Sequence, residues 1–475
     1  MLESFNYIFY IILLTFWFST IPVAFLTLIR FIRNRKIFVE KDLQRIHNDP
    51  TIIFQITTRS ATKTTVVERG IYSIINAANK INYCDYRISI VTEDDKDKEK
   101  FKEIKNCEII KVDKEYKTNA IKKSRALQFA VEYRRKKGEH TNQFWIFHMD
   151  DESYVTDQTL LSLLKFIREG KGVASEGPIV YPLKFEIANP ITALAESVRP
   201  FGCYDCVSQM KNPPPLHMHG SNLLVRSDAE DLIGWNFGIT LAEDQVFGYK
   251  LYEKYGKKAL GWHGGILLEQ PPLNIKDHFM QRRRWILGSL QNISNFPFWH
   301  RYKISFKLAS YFMGFISGIA TTILSVLTFA PMVTTAIHLL IQQHNFNPLI
   351  WSQYIFSSIF PSSFPEISLK INEIVSSSNT NFYPIDIGPI SIILIFPYLM
   401  WLLSYQIGLF LNLKHHKKYP ISKKVILHIQ AIFFSLVLGI LETFPAFVSI
   451  IEYYFRKRIH VIKEKKYYDF YVVNK

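Results

Sequence analysis

The sequence predicts an α/β domain built on a mostly parallel sheet and flanked by apolar helical segments. Three observations carry that expectation. Strand and helix signals alternate from Ile37 to roughly Lys303, as they do where βα units stack side by side. Within that region Phe144-Trp145-Ile146-Phe147-His148-Met149 has the composition of a strand covered on both faces, and it ends on Asp150-Asp151-Glu152. Long charge-free runs lie on either side of the region.

At 475 residues the chain exceeds what one core covers, so two or more units are expected. The net charge of +16 comes from 57 basic and 41 acidic residues, and much of the excess lies beside the apolar runs. It is therefore membrane-flanking charge first. No nucleic acid is expected as a partner, because no basic-aromatic module of a known type is present. Cys84, Cys107, Cys203 and Cys206 all fall in the middle region, where thiols are expected. Cys203 and Cys206 with His217 and His219 would make a zinc site only if all four took part, and H-x-H is tighter than the usual spacing. Small buried thiols are the expectation there.

Phe5 to Ile29 holds no charge and is long enough to span a hydrocarbon core, and Arg30, Arg33, Arg35 and Lys36 follow it. Glu3, the length of the run and the lack of a small-residue cleavage site argue against a cleaved signal peptide. Positive charge then places the middle region on the cytosolic side. Leu308 to Ile341 would cross outward, Ile387 to Leu413 would return, and Val425 to Ile451 is interrupted by Glu442 and Pro445. Four crossings would leave the basic tail outside, whereas its charge says inside; a break at Glu442-Pro445 that turns the last run back is the preferred solution. The expected units are residues 1–36, 37–303, 304–455 and 456–475: an N-terminal anchor, a cytosolic domain, a membrane region and a basic cytosolic tail.

Along the middle region, strands are expected at Thr51–Thr57, Arg87–Thr92, Glu108–Val112 and Phe144–His148. Helices are expected at Thr65–Lys80, Asn119–Lys137 and Asp157–Glu169, the last with Asp157 as cap and Gly170 as stop. Beyond Gly170 the periodicity weakens: Met210 to His219 is expected as a loop, Asn222 to Arg226 as an edge strand, and Ile239 to Tyr252 as a helix. Two strands end in acids, at Asp94-Asp95 and at Asp150-Asp151-Glu152. An open α/β sheet binds its ligands past the carboxyl ends of its strands. On an extended backbone Asp150 and Glu152 would share a side, and two such carboxylates suit Mg2+ or Mn2+, which in turn binds phosphate. Solvated acidic turns are the alternative at both places. No G-x-G-x-x-G or Walker loop is present.

Asp150-Asp151-Glu152 resembles a D-x-D-type metal motif, Ala242-Glu243-Asp244 a (T/A)ED motif, and Gln281-Arg282-Arg283-Arg284-Trp285 a Q-x-x-R-W motif. In this order, with apolar runs after them, they resemble the membrane-embedded family 2 glycosyltransferases, which include cellulose, chitin and hyaluronan synthases. The wording around Thr57-Thr58-Arg59 and the three motifs is most similar to egghead-type β-1,4-mannosyltransferases. The resemblance covers about Thr51 to Ser289. It implies a GT-A fold and inversion at the sugar carbon. It also implies roles by motif position: Thr58, Arg59, Asp94, Asp95, Lys123, Arg125, Asp151 and Arg284 at the donor, Asp150 and Glu152 at the metal, Asp244 as general base, and Glu243, Gln281 and Trp285 at the acceptor. Gln55-Ile56-Thr57-Thr58-Arg59 departs from the P-x-x-N-E-like stretch of many members, and Glu152 stands where many have Asp.

The expectation is therefore an inverting glycosyltransferase of the membrane, expected at the plasma membrane. It would move a hexose, mannose or glucose, from a nucleotide sugar to a lipid-linked or growing glycan, with membrane lipids as partners. The alternative is a multispan transporter or receptor with a cytosolic nucleotide-sensing domain. Against it, the apolar runs hold few ionisable residues, Glu442 being the main one.

Overall fold

The computed structural model describes residues 15, 18, 20–38, 49–58, 64–94, 100, 101, 104, 106–319, 390–416 and 418–459. The chain divides into two compact units, one of residues 1–26 and 312–403, the other of 27–311 and 404–475. In the first, the rings of Phe25 and Phe396 lie 4.5 Å apart. The second holds the sheet and everything discussed below.

Nine strands form among the described residues: β1 (Thr51–Thr57), β2 (Tyr86–Thr92), β3 (Cys107–Lys111), β4 (Phe144–Asp150), β5 (Ala174–Glu176), β6 (Ile179–Val180), β7 (Leu223–Arg226), β8 (Leu260–Trp262) and β9 (Leu267–Leu268). Seven make one sheet in the order β3-β2-β1-β4-β7-β5-β8. All its pairs are parallel except those of β7, which runs against both β4 and β5. The segment expected as an edge strand is thus a central, antiparallel one: Leu223, Leu224 and Val225 are fully buried, and their burial on both faces is a tertiary property that no short run announces. β6 and β9 pair separately.

The helices are α1 (Ile21–Asn34), α2 (Thr64–Lys80), α3 (Lys122–Lys136), α4 (Asp157–Glu169), α5 (Pro190–Glu196), α6 (Arg199–Lys211), α7 (Ser227–Ile233), α8 (Glu243–Tyr255), α9 (Ile275–Asn292), α10 (Ile390–Lys414), α11 (Ile421–Phe433) and α12 (Ser435–Ile459). Alternation along the strands sorts them into layers. Ile52, Phe54 and Ile56 of β1 pack with Val67, Ile71 and Ile74 of α2 and Leu160, Leu163 and Leu164 of α4. Ile53 and Ile146 face the other way, toward Leu127 and Val131 of α3 and Phe247 and Leu251 of α8. α4 has the expected bounds, but Thr156 is its N-cap, accepting from the Thr159 amide in a capping box; Gly170 ends it at φ 59°.

α3 ends on Arg134-Arg135-Lys136, basic residues that suit the helix dipole. Of these, Arg134 is 3% exposed. Its guanidinium lies 2.5 Å from Glu230 Oε2 and donates to Gln55 Oε1, while His148 Nε2 of β4 lies 2.9 Å from Glu230 Oε1 and Trp235 Nε1 donates to that oxygen at 2.7 Å. Burial alone would raise the Glu230 carboxyl; Arg134 and His148 hold it at about 2. The network ties α3 and α7 to the middle of the sheet.

The last apolar run also differs from expectation. It divides at Phe434, between α11 and α12, and α12 continues through Glu442 and Pro445. Among the described residues, one helix, Ser435–Phe455, is long and apolar enough to cross a membrane. The expected runs Phe5–Ile29, Leu308–Ile341 and Ile387–Leu413 lie partly outside the described residues.

Replacing Glu230 by Ala strands the Arg134 charge in the core, so a loss of about 3–5 kcal/mol of stability is expected. Denaturant unfolding of the purified chain followed by tryptophan fluorescence measures it; a change below about 1 kcal/mol would refute the role.

Candidate active site

The strand order reverses direction between β1 and β4, and in such sheets a crevice opens past the carboxyl ends of the two strands. Register puts Thr57 beside Asp150 at that edge. Thr58 Oγ1 donates to Asp151 Oδ2 at 3.3 Å. Lys123, from the first turn of α3, brings its ammonium 2.6 Å from Asp150 Oδ1 and donates to the Gly220 carbonyl at 3.1 Å. A Cβ at Gly220 would come 3.3 Å from both Lys123 Nζ and Asp244 Oδ2. Lys123 and Asp244 therefore flank this glycine, and the Lys123 ammonium links it to Asp150.

Asp244 lies in the first turn of α8, half-buried, and its Oδ1 accepts from the Gln245 amide at 2.8 Å. Burial first, and the neighbouring Glu243 second, push its carboxyl up to about 7; the Gln245 amide, Lys123 and Arg284 act against them. Gly288 allows α9 to press on the approach to α8, because a Cβ there would fall 2.7 Å from the Ala242 Cβ and 2.8 Å from its nitrogen. That contact holds Arg284 within electrostatic reach of Asp244.

α9 is fastened to α12. Arg282 grips Glu442 with two hydrogen bonds of 3.0 Å and Glu196 of α5 with one of 2.9 Å; His278 Nδ1 lies 2.7 Å from Glu196 Oε1. Arg283 makes a second fork with Glu452, at 2.8 and 2.5 Å. Glu442, expected to break its helix, is instead the partner of a buried arginine. Gln281 is buried and accepts from Arg282 at 3.2 Å. The guanidinium groups of Arg199 and Arg282 lie over the Trp285 ring, 4.3 and 4.7 Å from its centre, so at least one ring face is covered by cations.

The other expected residues divide. Asp94 closes the turn after β2, its amide donating to Thr92 Oγ1 at 3.2 Å. Arg125 is drawn elsewhere: it pairs with Glu93 at 2.6 Å and donates to the carbonyls of Asp113, Lys114 and Tyr116. Arg59 and Asp95 lie outside the described residues. The side chain of Asp150 is 35% exposed at the crevice, whereas Glu152 is fully buried. The strand ends at Asp150 and the chain turns at once, so alternation does not carry through to Glu152. Hard oxygen ligands thus face the crevice from Asp150, the residue whose chemistry fits a divalent cation.

Two acids escaped the sequence-based expectations. Glu269 accepts from Ser221 at 2.7 Å and Ser153 at 3.1 Å, and burial followed by the nearness of Asp150 raises it to about 7. Glu176 is raised to about 8, by burial first and by Asp244 in part, against the His219 amide that donates to it. Both sit in or beside strands of two or three residues, too short for a periodic signal.

Residues 145–351 match the family described as Glycosyl transferase family group 2. The chain thus carries a family 2 glycosyltransferase domain, and the ordered motifs mark it. Its homologues include the β-1,4-mannosyltransferase egh of Drosophila melanogaster, 26% identical over 268 residues, with 52% of this chain and 56% of the relative covered. They also include the β-1,4-mannosyltransferase bre-3 of Caenorhabditis elegans, 28% identical over 182 residues, with 37% and 39% covered. The chain thus spans about half the length of egh, and less of bre-3. A solved structure, the mannosyltransferase PcManGT from Pyrobaculum calidifontis in complex with GDP-Man and Mn2+, aligns with a TM-score of 0.45 at 14% identity, over 73% of this chain and 97% of that one.

Glu442→Ala removes the α12 half of the Arg282 clamp and leaves the guanidinium paired with Glu196 alone. Hydrogen exchange within Ile275–Asn292 is expected to quicken by about tenfold or more, since breaking a buried pair costs on the order of 3–5 kcal/mol. Unchanged protection of α9 would show that the clamp does not hold it.

Proposed function

We propose that this chain is an inverting glycosyltransferase that moves a hexose, mannose by analogy with its relatives' names, from a nucleotide sugar to a hydroxyl of a lipid-linked or growing glycan at the membrane. The observation that carries the proposal is the convergence of Asp150 and Asp244 on the Lys123 ammonium beside Gly220, at the crevice of a family 2 domain. An acceptor hydroxyl is a poor nucleophile. Asp244, raised to about 7, is matched to take its proton as the oxygen attacks the anomeric carbon. The bond from that carbon to the diphosphate breaks on the opposite face, which inverts the centre. Lys123 and Arg284 meet the charge that develops on the leaving diphosphate. Asp150 is the residue to hold Mg2+ or Mn2+, and such an ion supplies further neutralisation of that charge. Asp94 and Thr58, at the ends of neighbouring strands, line the donor side; Gln281 and Trp285 line the acceptor side.

Titrating the nucleotide sugar with and without manganese, on the chain and its variants, tests the roles together. Asp244→Asn is expected to lose about 10²–10⁴-fold in transfer with donor affinity kept; full turnover would reject the base. Asp150→Ala is expected to lose the manganese-dependent part of donor affinity; no change would reject the ligand. A base works only when ionised, so kcat/KM should rise with pH and level off above about 7. Glu243, Lys123, Arg284 and Glu176 face Asp244. Lys123 favours the ionised form, so Lys123→Met should move that limb to higher pH.

The C-terminal helices support a cytosolic tail. α11 has 13 residues, about 20 Å, short of a core of about 30 Å. α12 is fastened to α9 at both Glu442 and Glu452, the arrangement of a helix lying along the domain. Three crossings by the earlier apolar runs then bring the basic tail inside, in accord with its charge. A protease site appended after Lys475 should be cut only after the membrane is opened; cleavage in sealed cells from outside would exclude this topology.

A further inference from the structure

We propose that Cys206, His217 and His219 form a binding site for a borderline-soft divalent ion, zinc by the choice of ligands, which anchors the floor of the crevice. This goes beyond the sugar-transfer proposal and does not depend on it. Cys206 comes from α6, and the two histidines come from the loop that leads to β7. Cys206 Sγ lies 3.2 Å from His217 Nε2 and 3.4 Å from His219 Nε2, and the three atoms all fall within 4.8 Å of one another. Zinc binds thiolate sulfur at about 2.3 Å and imidazole nitrogen at about 2.0–2.1 Å, so a tetrahedral edge from sulfur to nitrogen measures about 3.5 Å. The observed separations are close to that edge. Cys203 takes no part: its thiol turns back to the Arg199 carbonyl at 3.9 Å. The ligand set is therefore one thiolate and two imidazoles, with one position left for water. Soft sulfur with imidazole selects zinc over the magnesium or manganese suited to Asp150.

The surroundings fit a held ion. Glu176 Oε2 lies 3.7 Å from His219 Nδ1, beyond hydrogen-bond length but on the side from which a carboxylate can orient a ligating imidazole. Gln209 fixes the loop by accepting from the Leu216 amide at 2.8 Å. Two donors compete for His217 Nδ1: the Lys307 ammonium at 2.6 Å and the Gln209 side-chain amide at 3.2 Å. In that arrangement Nδ1 accepts and Nε2 carries the proton aimed at sulfur. Metal binding moves the imidazole proton from Nε2 to Nδ1, releases the thiol proton to solvent, and turns both Lys307 and the Gln209 amide from His217 toward Asp205, whose Oδ2 is already 3.6 Å from the ammonium and 2.6 Å from the amide nitrogen. The consequence reaches the crevice directly. The residues after His219 are Gly220, whose carbonyl takes Lys123, and Ser221, whose hydroxyl accepts from the Asp150 amide at 3.2 Å.

The test is metal content of the full chain, purified without a histidine tag, dialysed against a weak chelator and measured by mass spectrometry. About one zinc per chain is expected, kept in Cys203→Ser and lost in Cys206→Ser and His219→Gln. Because Cys206→Ser could unfold, cobalt is also loaded into a Cys84→Ser, Cys107→Ser, Cys203→Ser background. A sulfur-to-cobalt charge-transfer band with intense tetrahedral d–d bands supports the site. A folded chain that holds no zinc after incubation with it, or a cobalt spectrum without the thiolate band, overturns the proposal.

Discussion

The ammonium of Lys123 stands among three carboxylates, those of Asp150, Glu243 and Asp244, and the elements that build the crevice meet at it. It hydrogen-bonds the end of β4 and the carbonyl of Gly220, and it sits beside the start of α8. Carboxylates crowded at one sheet edge repel one another, and burial penalises each of them. A single fixed cation relieves both costs and sets the spacing of the acids. The same charge leaves Asp244 near neutrality in its titration rather than fully protonated, the condition a general base requires.

The rest of the unit shows how such a site is kept rigid. Two buried ionic networks tie helices to it from opposite directions. Arg134, Glu230 and His148 secure α3, which carries Lys123, to the centre of the sheet. Arg282, Glu196 and Glu442 secure α9, which carries Arg284 and Trp285, to α5 and α12. Buried ion pairs add little net stability over an apolar replacement, but they penalise every arrangement in which a partner is missing. Here they select one placement of α3 and one of α9. Glu442 in an apolar helix is explained in this way.

Residues 145–351 carry a family 2 glycosyltransferase domain, and the geometry refines what its motifs say. Arg284 is within electrostatic reach of Asp244, whereas Arg282 and Arg283 hold the helix that presents it. Three consecutive arginines thus have different tasks, decided by the direction in which each leaves the helix. Trp285 is similarly divided, with a ring that is partly spent on stacking against Arg199 and Arg282.

The first half of the domain was legible in the sequence. β1 and α4 have the bounds that period predicts, though Thr156 rather than Asp157 caps α4, and β2, β3, α2 and the start of β4 are within a residue or two, because continuous apolar strands and amphipathic helices declare their period locally. The acid at the end of β4 and the Glu243-Asp244 pair were legible for the same reason, as motifs on well-marked elements. What the tertiary structure decided was everything set by contacts distant in sequence. It turned the expected edge strand into the central β7, buried Arg134 and Glu152, directed Arg125 to Glu93, and brought Glu176 and Glu269 to the crevice from strands of two or three residues. It also gathered Cys206 with His217 and His219 while turning Cys203 away. Local sequence fixes the period of a segment, but the direction of a side chain at its end depends on where the chain turns and on which partners the other elements bring.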